Sequence, residues 1–188
     1  MTYATVTAQC LVGIVFAVSA VAKVRKRSAF AAFEQSVSLV TSNLGQRSPR
    51  ALRTLALLTV AAEFCVPVLL PAPVTAPAGC LLAAALLMVF CAAIAGALRR
   101  DVEARCSCFG AAGAELGWRH VVRNGLLVVI AVIGATGPAR DATRPVSGLA
   151  VALVVAAVGA GLFVRFDDLV DVMLAPSGAG RAEPDFDR

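Results

Sequence analysis

Cys80-Leu81-Leu82-Ala83-Ala84-Ala85-Leu86-Leu87-Met88-Val89-Phe90-Cys91-Ala92-Ala93-Ile94-Ala95-Gly96 is an unbroken run of apolar and small residues. It lies inside the longer uncharged stretch Val74–Leu98, with Pro71 and Pro73 before it and Arg99 and Arg100 after it. A bilayer core of roughly 30 Å takes about 20 apolar residues of helix to cross. This stretch is long enough, so it predicts a transmembrane helix.

The same reading extends outward along the chain. Tyr3–Ala22 and Val146–Val164 are two further uncharged runs. Thr54–Leu70 is interrupted once, by Glu63, and Asn124–Gly137 reaches spanning length when Trp118–Arg123 supplies its first turns. Together they predict an all-α integral membrane helical bundle of about five transmembrane helices, at 3–23, 53–71, 76–98, 117–137 and 146–165. One domain, 1–174, is expected, with a tail at 175–188 whose Gly, Pro and charge content predicts disorder.

Composition agrees. Residues of the AVILMFWYC set make up 59% of the 188 and charged residues 15%, with a mean hydropathy of +0.83. Soluble domains run at about 45–50% apolar and about 25% charged. A chain this small cannot hide so much apolar surface in a core of its own; the lipid bilayer is the expected solvent. The net charge of +5 does not point to nucleic acid, because the basic residues cluster at the ends of the apolar runs.

That clustering predicts topology, since Lys and Arg concentrate in cytoplasmic loops. Lys23, Arg25, Lys26, Arg27, Arg47, Arg50 and Arg53 lie between the first two spans. Arg99, Arg100, Arg105, Arg119 and Arg123 lie between or border the third and fourth, and Arg165, Arg181 and Arg188 follow the fifth. The opposite side receives only Arg140 and Arg144. The expected protein is a multi-pass cell-membrane protein with its N-terminus outside and its C-terminus cytoplasmic. Ser19-Ala20-Val21-Ala22 resembles a signal-peptidase site, but the positive charges follow the apolar stretch rather than precede it, so a retained first helix is expected. In the first inner loop, Phe30, Phe33, Val37, Val40 and Leu44 recur at helical spacing, with Gly45 as a C-cap. This segment is either an interfacial amphipathic helix or a helix packed under the bundle. Pro71-Ala72-Pro73-Val74 predicts a tight helix-breaking turn.

Six cysteines stand at 10, 65, 80, 91, 106 and 108. Cys106 and Cys108 are one residue apart, in Arg105-Cys106-Ser107-Cys108-Phe109-Gly110. Such a pair can close a small strained disulfide ring, and strained disulfides are labile and suited to exchange. Arg105 is adjacent, with Arg99, Arg100, Arg119 and His120 in the same segment; positive neighbours favour the reactive thiolate. Gly110 and Gly113 give the turn backbone freedom. The plainer reading takes the cysteines as small hydrophobes. Two thiolates are too few for a closed metal site, although His120 or Cys91 could add a ligand. Cys10, Cys65 and Cys80 fall in the outer half, as packing residues or as a second redox pair.

Glu63 lies ten residues past Arg53, or roughly 15 Å along a helix, near the bilayer centre. A carboxylate there costs about 2.5–3.5 kcal/mol on insertion scales, so it should face the bundle interior and find a partner. Lys23 and Arg123 are the candidates, with Asn124 beside Arg123. The group is either a packing ion pair or a catalytic or proton-relay site.

Read in order, these elements resemble one family. They are the first helix ending in Ser19-Ala20-Val21-Ala22-Lys23, the Phe-rich inner segment, Ala62-Glu63 and Leu87-Met88-Val89-Phe90. After them come Cys106-Ser107-Cys108-Phe109-Gly110, Gly117-Trp118 and Val122-Arg123-Asn124. The chain resembles the methylamine utilisation protein MauE family, related in architecture to DoxX-like membrane proteins, over about residues 5–135. The resemblance implies a four-helix DoxX-like core plus a C-terminal helix. It implies a maturation or processing factor for methylamine dehydrogenase, acting on that enzyme's disulfide-rich subunit beside a thioredoxin-like partner. It marks Cys106 and Cys108 as redox candidates for thiol–disulfide exchange, and Lys23, Glu63, Arg123 and Asn124 as the polar positions of the bundle. No cofactor is identified; a bound quinone fits such a bundle in general, but no residue argues for it. Two other classes compete, a non-enzymatic scaffold subunit and a small transporter. The sequence has no Gly-rich phosphate loop, no Ser/His/Asp set and a single histidine, which argues against hydrolases and metalloenzymes.

Overall fold

The computed structural model describes residues 2–41, 48–99, 117–137 and 146–165, and every regular element among them is helical. The helices are α1 (Thr2–Val24), α2 (Arg27–Thr41), α3 (Pro49–Leu69), α4 (Ala76–Leu98), α5 (Trp118–Thr136) and α6 (Val146–Val164). By length and composition α1, α3, α4 and α5 can each cross a membrane. α6 stands where the fifth span is expected, with 19 residues, as many as α5.

α3 begins at Pro49, four residues before the expected start of its span at 53. Ser48 is extended (φ −63°, ψ 148°), and its hydroxyl accepts the Ala51 N–H at 3.3 Å. Pro49 fills the first helical position, where an N–H would have no partner. The cap therefore starts the helix about a turn before its apolar residues do. The turn from α3 to α4 forms where the two prolines predict it. It is closed by Thr75, whose hydroxyl donates to the Leu69 carbonyl at 2.6 Å while its N–H donates to Ala72 at 3.1 Å.

α1 is the hub: it packs against each of the other five helices and is the most buried of the four spans. Val12, Val15 and Phe16 of α1 meet Val66 of α3 and Leu70 at its C-cap, Cys80, Ala83 and Leu87 of α4, and Leu127 and Ala131 of α5 in one core. α6 adds Ala156 and Ala160 to it. With Ala152 also buried, α6 presents a small-residue stripe, the chemistry that lets helices approach closely in lipid. Large apolar side chains cover the outside: Leu58, Val68, Leu81, Val89, Val129 and Val154 are all exposed, as lipid contact requires.

α2 resolves the two readings of the inner loop. It packs on α1, α3 and α4, with Phe33 buried against Ala56 and Val60 of α3 and flanked by Phe30 and Val37. It is a helix seated under the bundle. Leu44 and Gly45, like the tail 175–188, lie outside the described residues.

At the other end, Gln9 of α1 donates its amide to the Gly134 carbonyl of α5 at 2.9 Å. Gly134 has no room for a side chain: a Cβ there would stand 2.9 Å from Cys80 Sγ and 3.4 Å from Gln9 Cγ. Gly134→Ala should therefore destabilise the bundle by about 1–3 kcal/mol through overpacking, read as a lower melting temperature in detergent. Gly125→Ala, on the same helix with nothing within 4 Å of the added carbon, should keep or slightly raise the melting temperature, since alanine is the better helix former.

Candidate functional site

The buried face of α3 repeats at helical spacing through Ala56, Val60, Glu63 and Val66, which carries Glu63 into the interior with its apolar neighbours. On α1, Ser19 and Lys23 are four residues apart and both buried, so they stand one above the other on the same face. Lys23 Nζ donates to Glu63 Oε1 at 2.6 Å, to Oε2 at 2.7 Å, and to Ser19 Oγ at 2.7 Å. An ammonium has three donors, and all three are used. The side chains of the ion pair are each 1% exposed.

Aromatic rings complete the enclosure. The Lys23 nitrogen lies 5.0 Å from the centroid of Phe33 on α2 and 5.9 Å from that of Phe90 on α4, within the range of cation–π attraction. Four groups from four helices thus surround one cation. Of the two partners that the sequence offers Glu63, the structure selects Lys23.

Arg123 and Asn124 arrive from α5, whose buried face runs through His120, Arg123, Asn124, Leu127, Ala131 and Gly134. Both border the same cavity as Ser19, Lys23, Glu63 and Phe90, walled on its apolar side by Val15, Phe16 and Leu87. Its volume is about 20 Å³, room for about one water molecule. All four intramembrane residues singled out from the sequence therefore meet around one small space. Its polar lining comes from Ser19, Lys23, Glu63, Arg123 and Asn124, and the three donors of the Lys23 ammonium are taken by Glu63 and Ser19.

Sequence reasoning missed three participants. Ser19 looked like part of a cleavage site; its spacing of four from Lys23 was the signal that would have identified it. Phe33 and Phe90 looked like ordinary apolar residues. Cys106 and Cys108 lie outside the described residues, in the segment between Arg99 and Gly117. Cys80 is in the core, Cys10 borders it, and Cys65 is exposed on the surface of α3. Cys91 Sγ is directed at the Val121 carbonyl of α5 at 3.7 Å, a packing contact. Among the described residues no group of three or more His, Cys, Asp or Glu could hold a metal ion.

No curated protein and no solved structure matches the chain. The family model described as methylamine utilisation protein MauE matches residues 1–137. That range takes in all four long apolar helices, the whole buried cluster and the Cys-x-Cys segment. With well over half of its length under that one model, and with the membrane bundle that the resemblance implied, the chain belongs to the MauE family of methylamine utilisation proteins.

Proposed function

We propose that this membrane protein is a maturation factor that passes disulfides between its Cys106–Cys108 pair and a thioredoxin-like partner, in the service of a disulfide-rich dehydrogenase subunit. The observation that carries this reading is the extent of the family match, which includes the two cysteines and the basic residues around them. In the exchange, the thiolate of one cysteine attacks a sulfur of the partner's disulfide and a mixed disulfide forms. The second cysteine then displaces the partner, leaving a Cys106–Cys108 disulfide and a reduced partner. Two electrons move from this chain to the partner, and the reverse sequence returns them.

The charge distribution supports an orientation with the N-terminus outside, which puts the cysteine pair on the cytoplasmic side, where its partner would meet it. A membrane-impermeant thiol reagent applied to intact cells should leave Cys106 and Cys108 unlabelled; labelling would reverse the orientation.

Cys106→Ser and Cys108→Ser should each abolish maturation of the client enzyme while the amount of protein in the membrane stays unchanged. The readouts are active dehydrogenase and a mixed disulfide trapped by the single-cysteine variants. Full activity in either variant would replace the redox reading with that of a scaffold that binds its partner through the inner loops.

A further inference from the structure

One end of the bundle carries a concentration of exposed charge that the buried cluster does not use. α1 and α4 finish there, and α2, α3 and α5 begin there. Arg25 and Lys26 form the two-residue bend between α1 and α2, and Arg27 opens α2; all three are exposed. Arg50 and Arg53, three residues apart in the first turns of α3, share a face and are exposed, as is Arg99 at the end of α4. Against these six cations, the described residues of this end offer one acid outside the cluster, the half-buried Glu34. The described residues of the opposite end carry no charged side chain at all.

The depth of these cations can be read from their neighbours. Val21 and Val24 are exposed immediately before Arg25, and Leu57 and Leu58 are exposed about one turn beyond Arg53. In both helices the lipid-facing apolar surface gives way to cation within about a turn, which places the cations at the edge of the hydrocarbon, level with headgroup phosphates. Trp118, the only tryptophan in the chain, is exposed at the first residue of α5 at this same end. An exposed indole at a span terminus is the residue expected at a membrane–water interface.

We infer that this rim is a binding surface for anionic phospholipids, selected over zwitterionic ones by the phosphate charge that no neighbouring choline or amine offsets. Arginine suits the task, because its planar fork holds two phosphate oxygens at once. Five of the six cations are arginines.

Trp118 provides the measurement. The full chain is reconstituted in phosphatidylcholine vesicles containing either bromine-labelled phosphatidylglycerol or bromine-labelled phosphatidylcholine, and quenching of the Trp118 fluorescence gives the relative affinity of the two lipids. The expected preference for phosphatidylglycerol is at least about fivefold, the effect of one cation near an anionic lipid surface, and it should fall in molar salt. Arg25→Gln/Lys26→Gln/Arg27→Gln, and separately Arg50→Gln/Arg53→Gln, should move the ratio toward one. Equal quenching by the two lipids in the native protein, or a preference unchanged by salt and by both sets of substitutions, overturns the inference and leaves the rim to an acidic protein. If either variant fails to insert, the native protein at low and high salt decides.

Discussion

Lys23→Met should cost the bundle about 3–5 kcal/mol, the loss expected when one member of a buried ion pair is removed and the other is left behind. Glu63 would then sit in the interior without the ammonium that reaches both of its oxygens at 2.6 and 2.7 Å. Glu63→Gln should be costly as well, but less so, because the amide oxygen still accepts from Lys23. The informative variant is Lys23→Met combined with Glu63→Leu. Replacing both charges with apolar groups of similar volume is often close to neutral, so the double variant should recover most of the lost stability. Denaturant titration in detergent measures all three. Stability and activity should be read together: a double variant that is stable but inactive in client maturation assigns the pair a chemical role, whereas one that is stable and active makes it a packing clamp.

Phe33→Ala should lower stability by about 3–5 kcal/mol, the range for deleting a buried phenylalanine. Phe33 is the buried contact of α2 with Ala56 and Val60, and its ring also faces the Lys23 cation. Its loss should free α2 from the bundle, seen as faster proteolysis within residues 25–48. Phe33→Leu separates the two contributions. It keeps apolar volume and loses only the ring's attraction for the cation, about 0.5–2 kcal/mol, so α2 should remain protected.

The spans were legible because a helix in lipid is apolar on every side: core and surface give the same signal, and length alone then sets the number of crossings. The start of α3 was not legible from hydropathy, since Ser48 and Pro49 act through backbone geometry rather than through apolarity. Glu63 stood out because a lone carboxylate in an apolar run must be explained. The choice between Lys23 and Arg123 as its partner was open because both lie on the right side of the membrane, and only packing decides which one reaches. Phe33 and Phe90 carried no distinguishing mark, because a phenylalanine facing a cation and one facing a leucine look alike in a sequence. The Cys-x-Cys pair is the reverse case, visible at once as a motif, with a chemistry that depends on the partner it meets.

The separation of forty residues between Lys23 and Glu63 also bears on how the protein is made. α1 precedes α3 along the chain, so it enters the lipid before its counter-charge has been synthesised. Until then the long stem of Lys23 can hold its ammonium at the headgroups, beside Arg25, Lys26 and Arg27. When α3 follows, the same side chain turns inward and binds it. α1 is thus only locked into position once α3 arrives, and the order of insertion differs from the order of assembly.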